Sequence, residues 1–305
     1  MAFAALKRRS ENSNLNLDLV NFPRARRGVL DKKRILVMKL SIVSDELSDD
    51  FQSAVEIGYE WGLCNYEIRK VWLNRIPCVP QEGIDIIKKV IKKYQINITA
   101  LSPGLFKVPL NSEKMKTHRK ELLKETFKLA SQFNTNRITI FGVKRSPQDK
   151  EEDYQQVIEI IGEAANLADR EGFTLMLENE PGWWADTGGN TAKIVREVDS
   201  RVLKINWDPA NAFSAGEVPY PSGYESVKNY LVNIHIKRAF KDIKGKTRYL
   251  TTGKGVIDWQ GQIQALAKDN YSDYIAIETH LEPKIKESKK CLDILKKIGQ
   301  GYIQI

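Results

Sequence analysis

Glu178, Asp208, His235 and Glu278 are the side chains through which this sequence could do chemistry. Each stands at or near the end of a short apolar run: Leu175-Met-Leu-Glu178, Leu203-Lys-Ile-Asn-Trp-Asp208, Leu231-Val-Asn-Ile-His235 and Tyr274-Ile-Ala-Ile-Glu278. The first run breaks into Glu178-Asn-Glu-Pro-Gly, so it reads as a buried strand that delivers Glu178 to the rim of a core. Three carboxylates and one imidazole make a hard donor set, better suited to Mn²⁺, Mg²⁺ or Co²⁺ than to a thiolate-seeking metal. Such a set converges on one ion if the four runs are neighbouring parallel strands in a barrel, whose chemistry sits at the strands' C-terminal ends.

The rest of the chain supplies that frame. Four further strand-like runs precede these, over 35–43, 65–72, 98–102 and 137–142, the third breaking at Pro103-Gly104. Between strands lie segments of helical period. Phe51, Ala54, Val55, Gly58 and Trp61 share one helical face, and Ile84, Ile87, Ile91 and Tyr94 recur at helical spacing within 80–96. Ser112 is a candidate N-cap for a helix over 113–133, and Gly172 closes one over 153–171. Others fall near 190–198, 224–230, 259–269 and 284–298. Strict alternation of eight strands and eight helices argues for a parallel sheet with helical crossovers. Candidate ligands on several successive strands favour a closed (β/α)8 TIM barrel over a doubly wound sheet with a single crevice. Neither GxGxxG nor GxxxxGK[ST] is present, and Gly253-Lys-Gly255 is too short for either phosphate cradle.

Composition narrows the partners. The chain has 305 residues and a formal charge of +9, but residues 1–34 hold nine basic residues against three acidic ones. The basic excess therefore belongs mostly to this leader and does not indicate a basic cleft for nucleic acid. The leader, which reads as a basic arm or tail ahead of a catalytic domain over 35–305, lacks the apolar core of a secretory signal. Its Leu15, Leu17, Leu19 and Phe22 could clasp a neighbouring subunit. No apolar run approaches the ~18 residues of a membrane span. Cys64, Cys78 and Cys291 are odd in number and far apart, which suggests free buried thiols and a cytoplasmic protein.

The order Leu-Glu178-Asn, Asn-Trp-Asp208-Pro-Ala-Asn211, Ile-His235-Ile-Lys237, Gly253-Lys-Gly255-Val-Ile-Asp258-Trp259 and Ala-Ile-Glu278-Thr-His280 resembles the xylose isomerase-like TIM-barrel superfamily. The likeness, strongest to its sugar phosphate isomerase/epimerase branch, spans roughly 35–300. It implies that Glu178, Asp208, His235 and Glu278 hold one divalent ion, Mn²⁺, Mg²⁺, Co²⁺ or Zn²⁺. It further implies an isomerase or epimerase acting on a ketose, sugar acid or sugar derivative. Glu178 and Glu278 would remove and return the proton on either face of an enediolate. Dimers and tetramers are common in the superfamily, so a homo-oligomer is possible.

Glu180, Asn211, Lys237, Trp183 and His280 are candidates for substrate contact. Trp183-Trp184 could wall a sugar pocket, with Trp72 and Phe106 opposite, while Trp207 alternates away from Asp208 to pack outward under a helix. Glu67, Arg69, Lys107, Lys144 and Arg145 stand on loops that could recognise a substrate, and His118 reads as a surface residue. One departure is Arg238, where many members carry an acid, which puts the usual support of His235 in doubt. A dehydratase acting on a keto-cyclitol or dehydroshikimate-like substrate is the principal alternative, since it begins with the same proton abstraction. A barrel that only binds sugar is a further alternative, as is an apurinic-site endonuclease, although three histidines are few for the latter's trinuclear zinc.

Overall fold

The computed structural model describes residues 37–251 and 255–304. The leader arm, Gly253 and Lys254 lie outside them. Eight parallel strands form a ring: β1 Met38–Val43, β2 Asn65–Ile68, β3 Asn97–Leu105, β4 Arg137–Phe141, β5 Thr174–Glu178, β6 Leu203–Trp207, β7 Leu231–Ile236 and β8 Tyr274–Ile277. Each pairs with the next, and β8 returns to β1 with Lys39 opposite Tyr274 and Ile42 opposite Ile277. The result is a closed (β/α)8 TIM barrel. A short strand, Ile303–Gln304, adds to the start of β1. No helix of the described residues is long and apolar enough to cross a membrane.

Local chemistry sets the helices. The Asp50 carboxylate accepts the Ser53 N–H at 2.8 Å and starts the helix Phe51–Glu60, whose buried residues Phe51, Ala54, Val55 and Gly58 face the barrel. Gly58 leaves room for β2: a Cβ there would lie 2.2 Å from the Tyr66 hydroxyl. Gly172 ends Tyr154–Glu171 in the left-handed conformation, φ 79°. Trp207 is fully buried and points out of the barrel, its ring meeting Gly188 and Gly223.

The structure departs from the sequence reading at several places. Ser112 stands before the helix Glu113–Thr117, but its hydroxyl caps nothing, and a wider π turn at His118–Leu122 precedes Leu123–Gln132. β3 runs on through Pro103-Gly104, because the register with β4 shifts between Leu101 and Leu105 and the extra residues bulge out of the ladder. β2 stops early at Ile68, and the residues beyond fold into a separate hairpin, Lys70–Val71 against Asn74–Arg75. The loop after β7 holds a second hairpin, Arg238–Lys241 against Thr247–Leu250. Its turn is held by Asp242, whose Oδ1 accepts the N–H groups of Lys244 and Lys246. Cys64 and Cys78 are exposed rather than buried; both, like buried Cys291, are free thiols.

Candidate metal centre and cleft

Side chains alternate along a strand, so residues two apart share a face. Inside this barrel the shared face is polar. Asn206 and Asn233 stand two residues before Asp208 and His235 and line the interior, wholly or almost wholly buried. Asn233 Nδ2 donates to Glu67 Oε1 at 2.7 Å and to Asn206 Oδ1 at 3.0 Å, and Asn206 Nδ2 donates to Glu178 Oε2 at 3.0 Å. His235 Nε2 lies 3.0 Å from Glu67 Oε2, so that Nδ1 faces Glu278 at 3.2 Å and Glu178 at 3.6 Å. A hydrogen bond from Nε2 to Glu67 leaves the Nδ1 lone pair for an ion, the usual second-sphere arrangement of a ligating histidine. Glu67 therefore faces the barrel interior instead of contacting substrate, and it gives His235 the support that Arg238 had put in doubt.

The strand ends are clipped together as well. Asn179, next to Glu178, accepts the Asp208 N–H through Oδ1 and donates to the Asp208 carbonyl, both at 2.8 Å. Asp208 Oδ1 caps the helix Pro209–Ser214 through the N–H groups of Ala210 and Asn211. Its other oxygen, Oδ2, is buried without a hydrogen bond; Lys237 Nζ lies 2.6 Å away but off the hydrogen-bonding direction. Glu178, Asp208, His235 and Glu278 each place a ligand atom within 4.8 Å of the other three. A buried carboxylate oxygen that accepts no hydrogen bond and is balanced only by the Lys237 charge, inside a hard donor set, suits an oxygen-seeking divalent ion, and four protein ligands leave positions open for a substrate. The residues fit such an ion.

Electrostatics point the same way. Burial opposes charge on Glu278, yet Lys237, His280 and His235 together hold its carboxyl well below the usual range. Burial likewise opposes protonation of His235, but Glu278, Glu67 and Glu178 raise its pKa well above 6.5. Burial pushes Asp208 upward, against the pull of Lys237. The carboxylates thus draw positive charge from Lys237 and from a proton on His235, which a bound cation would displace. Glu67→Gln keeps the shape but weakens the support of His235. It is expected to lower Mn²⁺ affinity about 10–100-fold without abolishing it, as read by competition with a chelating dye.

Above the cluster opens a cleft of about 510 Å³ lined by Glu178, Glu180, Asn211, Lys237, Glu278 and His280, among others. Of the anticipated contact residues, Trp183 does not line it; the ammonium groups of Lys107 and Lys144 stand 5.6 and 5.8 Å from its ring centre. Trp72 donates its indole N–H to Asp50, Phe106 is fully buried, and the aromatic lining comes from Phe141 and Tyr249. Arg145 lies over the Trp184 ring and pairs with Glu151, outside the cleft. Arg69, at the cleft, joins Asp45, Glu46 and Glu278. Glu46 Oε2 accepts from Thr279 N, Thr279 Oγ1 and His280 N, which fixes the end of β8.

His118 is half-buried, not a surface residue: its Nδ1 accepts the Phe106 N–H at 2.8 Å and so anchors the loop that carries Lys107 into the cleft. Burial, and secondarily Lys114, lower its pKa from the ordinary 6.5. A depressed folded pKa gives stability that is full above 6.5 and lost as pH falls through the folded value. His118→Asn, neutral at every pH, is therefore expected to show a smaller fall in melting temperature than wild type between neutral and mildly acidic buffer.

Fold and site together define a (β/α)8 barrel with a buried carboxylate and imidazole cluster, of a kind that could hold a metal ion, at the C-terminal ends of its strands. The family model described as xylose isomerase-like TIM barrel matches residues 51–298, and the chain belongs to that family. It is 26% identical over 188 residues to a 3-dehydroshikimate dehydratase of Bacillus anthracis, covering 61% of this chain and 66% of that one. It is 24% identical over 162 residues to an inosose dehydratase of Glaesserella parasuis, covering 46% and 52%. Both alignments span less than two thirds of the relative. Among solved structures, the IOLI protein with a bound zinc atom superposes with a TM-score of 0.73 at 17% identity, over 88% of this chain and 100% of that one. Solved barrels of this fold also include sugar epimerases.

Proposed function

We propose that this chain is a divalent-metal-dependent dehydratase. It removes the proton beside the carbonyl of a cyclic polyhydroxy ketone and expels a hydroxyl group as water. One observation carries this reading: the two glutamates of the cluster are not equivalent. Arg69 Nη1 donates to Glu278 at 2.7 Å and Lys237 Nζ at 2.8 Å, so this carboxylate is a lasting anion. Glu178 has no arginine or lysine on it; its hydrogen-bond donor is the Asn206 amide, and the His235 ring stands 3.6 Å away. Epimerisation would ask both glutamates to hold a proton in turn, whereas elimination asks for one base and one acid.

Glu178, Asp208, His235 and Glu278 would hold the ion, which supplies polarisation of the substrate carbonyl. Glu178 takes the C–H proton. His280 serves as the acid: its imidazole reaches the cleft, with Nδ1 3.3 Å from Glu46 and Nε2 3.4 Å from Glu278. Burial disfavours its charge, but Glu278 outweighs this and, with no ion in the cluster, its pKa rises to about 9. As the C–H electrons form the new double bond, the C–O bond breaks and the departing hydroxide takes the His280 proton. One water and an unsaturated ketone leave, and Glu178 and His280 reset by proton exchange with solvent. The names of the two dehydratase relatives support this direction.

Epimerisation is the second reading, favoured by the presence of Glu278 at the same centre as Glu178. The Mn²⁺-loaded protein, incubated in D₂O with 3-dehydroshikimate or a keto-inositol, separates the two. Loss of water with a rising ultraviolet band supports the dehydratase; deuterium at an inverted carbon without water loss supports the epimerase. Neither change with any ketone of this class would end the enzymatic reading.

A further inference from the structure

Six lysine and arginine side chains line the cleft, and five of them face a carboxylate. Arg69 Nη2 lies 2.8 Å from Asp45, Lys70 3.0 Å and Lys284 3.1 Å from Asp49, Lys107 2.5 Å from Glu180, and Lys237 2.6 Å from Asp208. Arg75 is the exception: among the described residues it has no ion pair, and its one hydrogen bond runs from Nη2 to the Ser102 carbonyl at 3.0 Å. Its position is nevertheless built. The hairpin strand Asn74–Arg75 delivers it, and the guanidinium lies over Gly104, where a Cβ would come within 2.9 Å of Nε and 3.1 Å of Cζ. Gly104 also holds φ 78°, so that both the backbone and the overlying arginine favour glycine there.

A guanidinium exposed at a cleft wall, with one N–H on a protein carbonyl and the others facing no protein acceptor, can receive an anion. Its planar fork matches a planar carboxylate with two parallel hydrogen bonds. A phosphate dianion would call for more than one uncompensated cation, and the cleft lining offers one among the described residues. We propose that Arg75 receives a carboxylate of the substrate, so that the cleft takes a polyhydroxylated keto acid rather than a neutral ketose or cyclitol. This rests on the dehydratase reading for the identity of the reacting centre, but not for the anion contact.

The test is a binding measurement on the full-length, Mn²⁺-loaded protein with two probes that differ only in the carboxylate, 3,4-dihydroxybenzoate and catechol. Calorimetry is expected to show wild type favouring the acid by about tenfold or more, the scale of one charge-assisted contact. Arg75→Ala should bind the acid no better than catechol while keeping the wild-type affinity for catechol, which also shows that the cleft is intact. Arg75→Lys should recover part of the preference. Equal affinity of wild type for both probes, an undiminished preference in Arg75→Ala, or binding of neither probe would overturn the proposal. Because no turnover is involved, failure here leaves the dehydratase reading to its own assay. Conversely, a clear acid preference with no water loss from any ketone would sink only that reading.

Discussion

Protein purified and loaded with Mn²⁺ is expected to hold about one equivalent of the ion, and His235→Ala prepared in parallel to hold none. The size of the effect follows from how the centre is built. His235 is 1% exposed and is oriented by Glu67 on the far side of its ring, so nothing in the barrel can move in to replace it. Asp208→Ala should lose the ion as well, because it deletes a prospective ligand oxygen, Oδ2, together with the cap of Pro209–Ser214. Uptake should weaken as pH falls. His235, whose pKa stands well above 6.5, must lose a proton to bind, so acid favours the proton over the metal. Elemental analysis checks the stoichiometry, and titration at two pH values checks the slope. Full Mn²⁺ content in His235→Ala would show that the four strand-end residues are structural.

The second large effect concerns the proposed acid and base. Glu178→Gln and His280→Gln are each expected to lower the dehydration rate about 10²–10⁴-fold, the range of a single proton-transfer catalyst. They differ in what else changes. Glu178→Gln removes a prospective ligand and should also weaken Mn²⁺ binding. His280→Gln leaves the four cluster residues in place and should alter the pH profile instead. The acid must be protonated, so the wild-type rate falls as pH rises through the His280 pKa, about 9 without an ion and lower with a divalent charge beside Glu278. That alkaline limb should vanish in His280→Gln. An unchanged limb in the variant would assign it to another group and remove His280 from the reaction.

The barrel and the four cluster residues were readable because they rest on short-range rules. Apolar runs that end in hard ligands mark strand ends, and helical periodicity fills the gaps between them. Trp207 beside Asp208 was readable on the same ground, since adjacent strand residues face opposite sides. The network behind the centre carried a signal too: Asn206 and Asn233 are polar residues inside apolar strands, two positions before a candidate ligand. Their partner Glu67 was not readable in that role, because it meets His235 across 168 residues of chain and only closure of the ring makes them neighbours. The clamp of Arg69 and Lys237 on Glu278 was hidden for the same reason. His118 misled because a lysine-rich helix suggests solvent, whereas its imidazole reaches back to a backbone N–H twelve residues earlier.

The two hairpins beyond the ring, Lys70–Val71 with Asn74–Arg75 and Arg238–Lys241 with Thr247–Leu250, pair only within themselves. Arg75 and Tyr249, which face the cleft, ride on these attachments and not on barrel strands. For an engineer this separates two jobs. Residues that choose a molecule can be exchanged as a cassette, leaving untouched the ring that would hold the ion, and a library confined to 70–75 and 238–250 would vary substrate preference on a constant chemical engine.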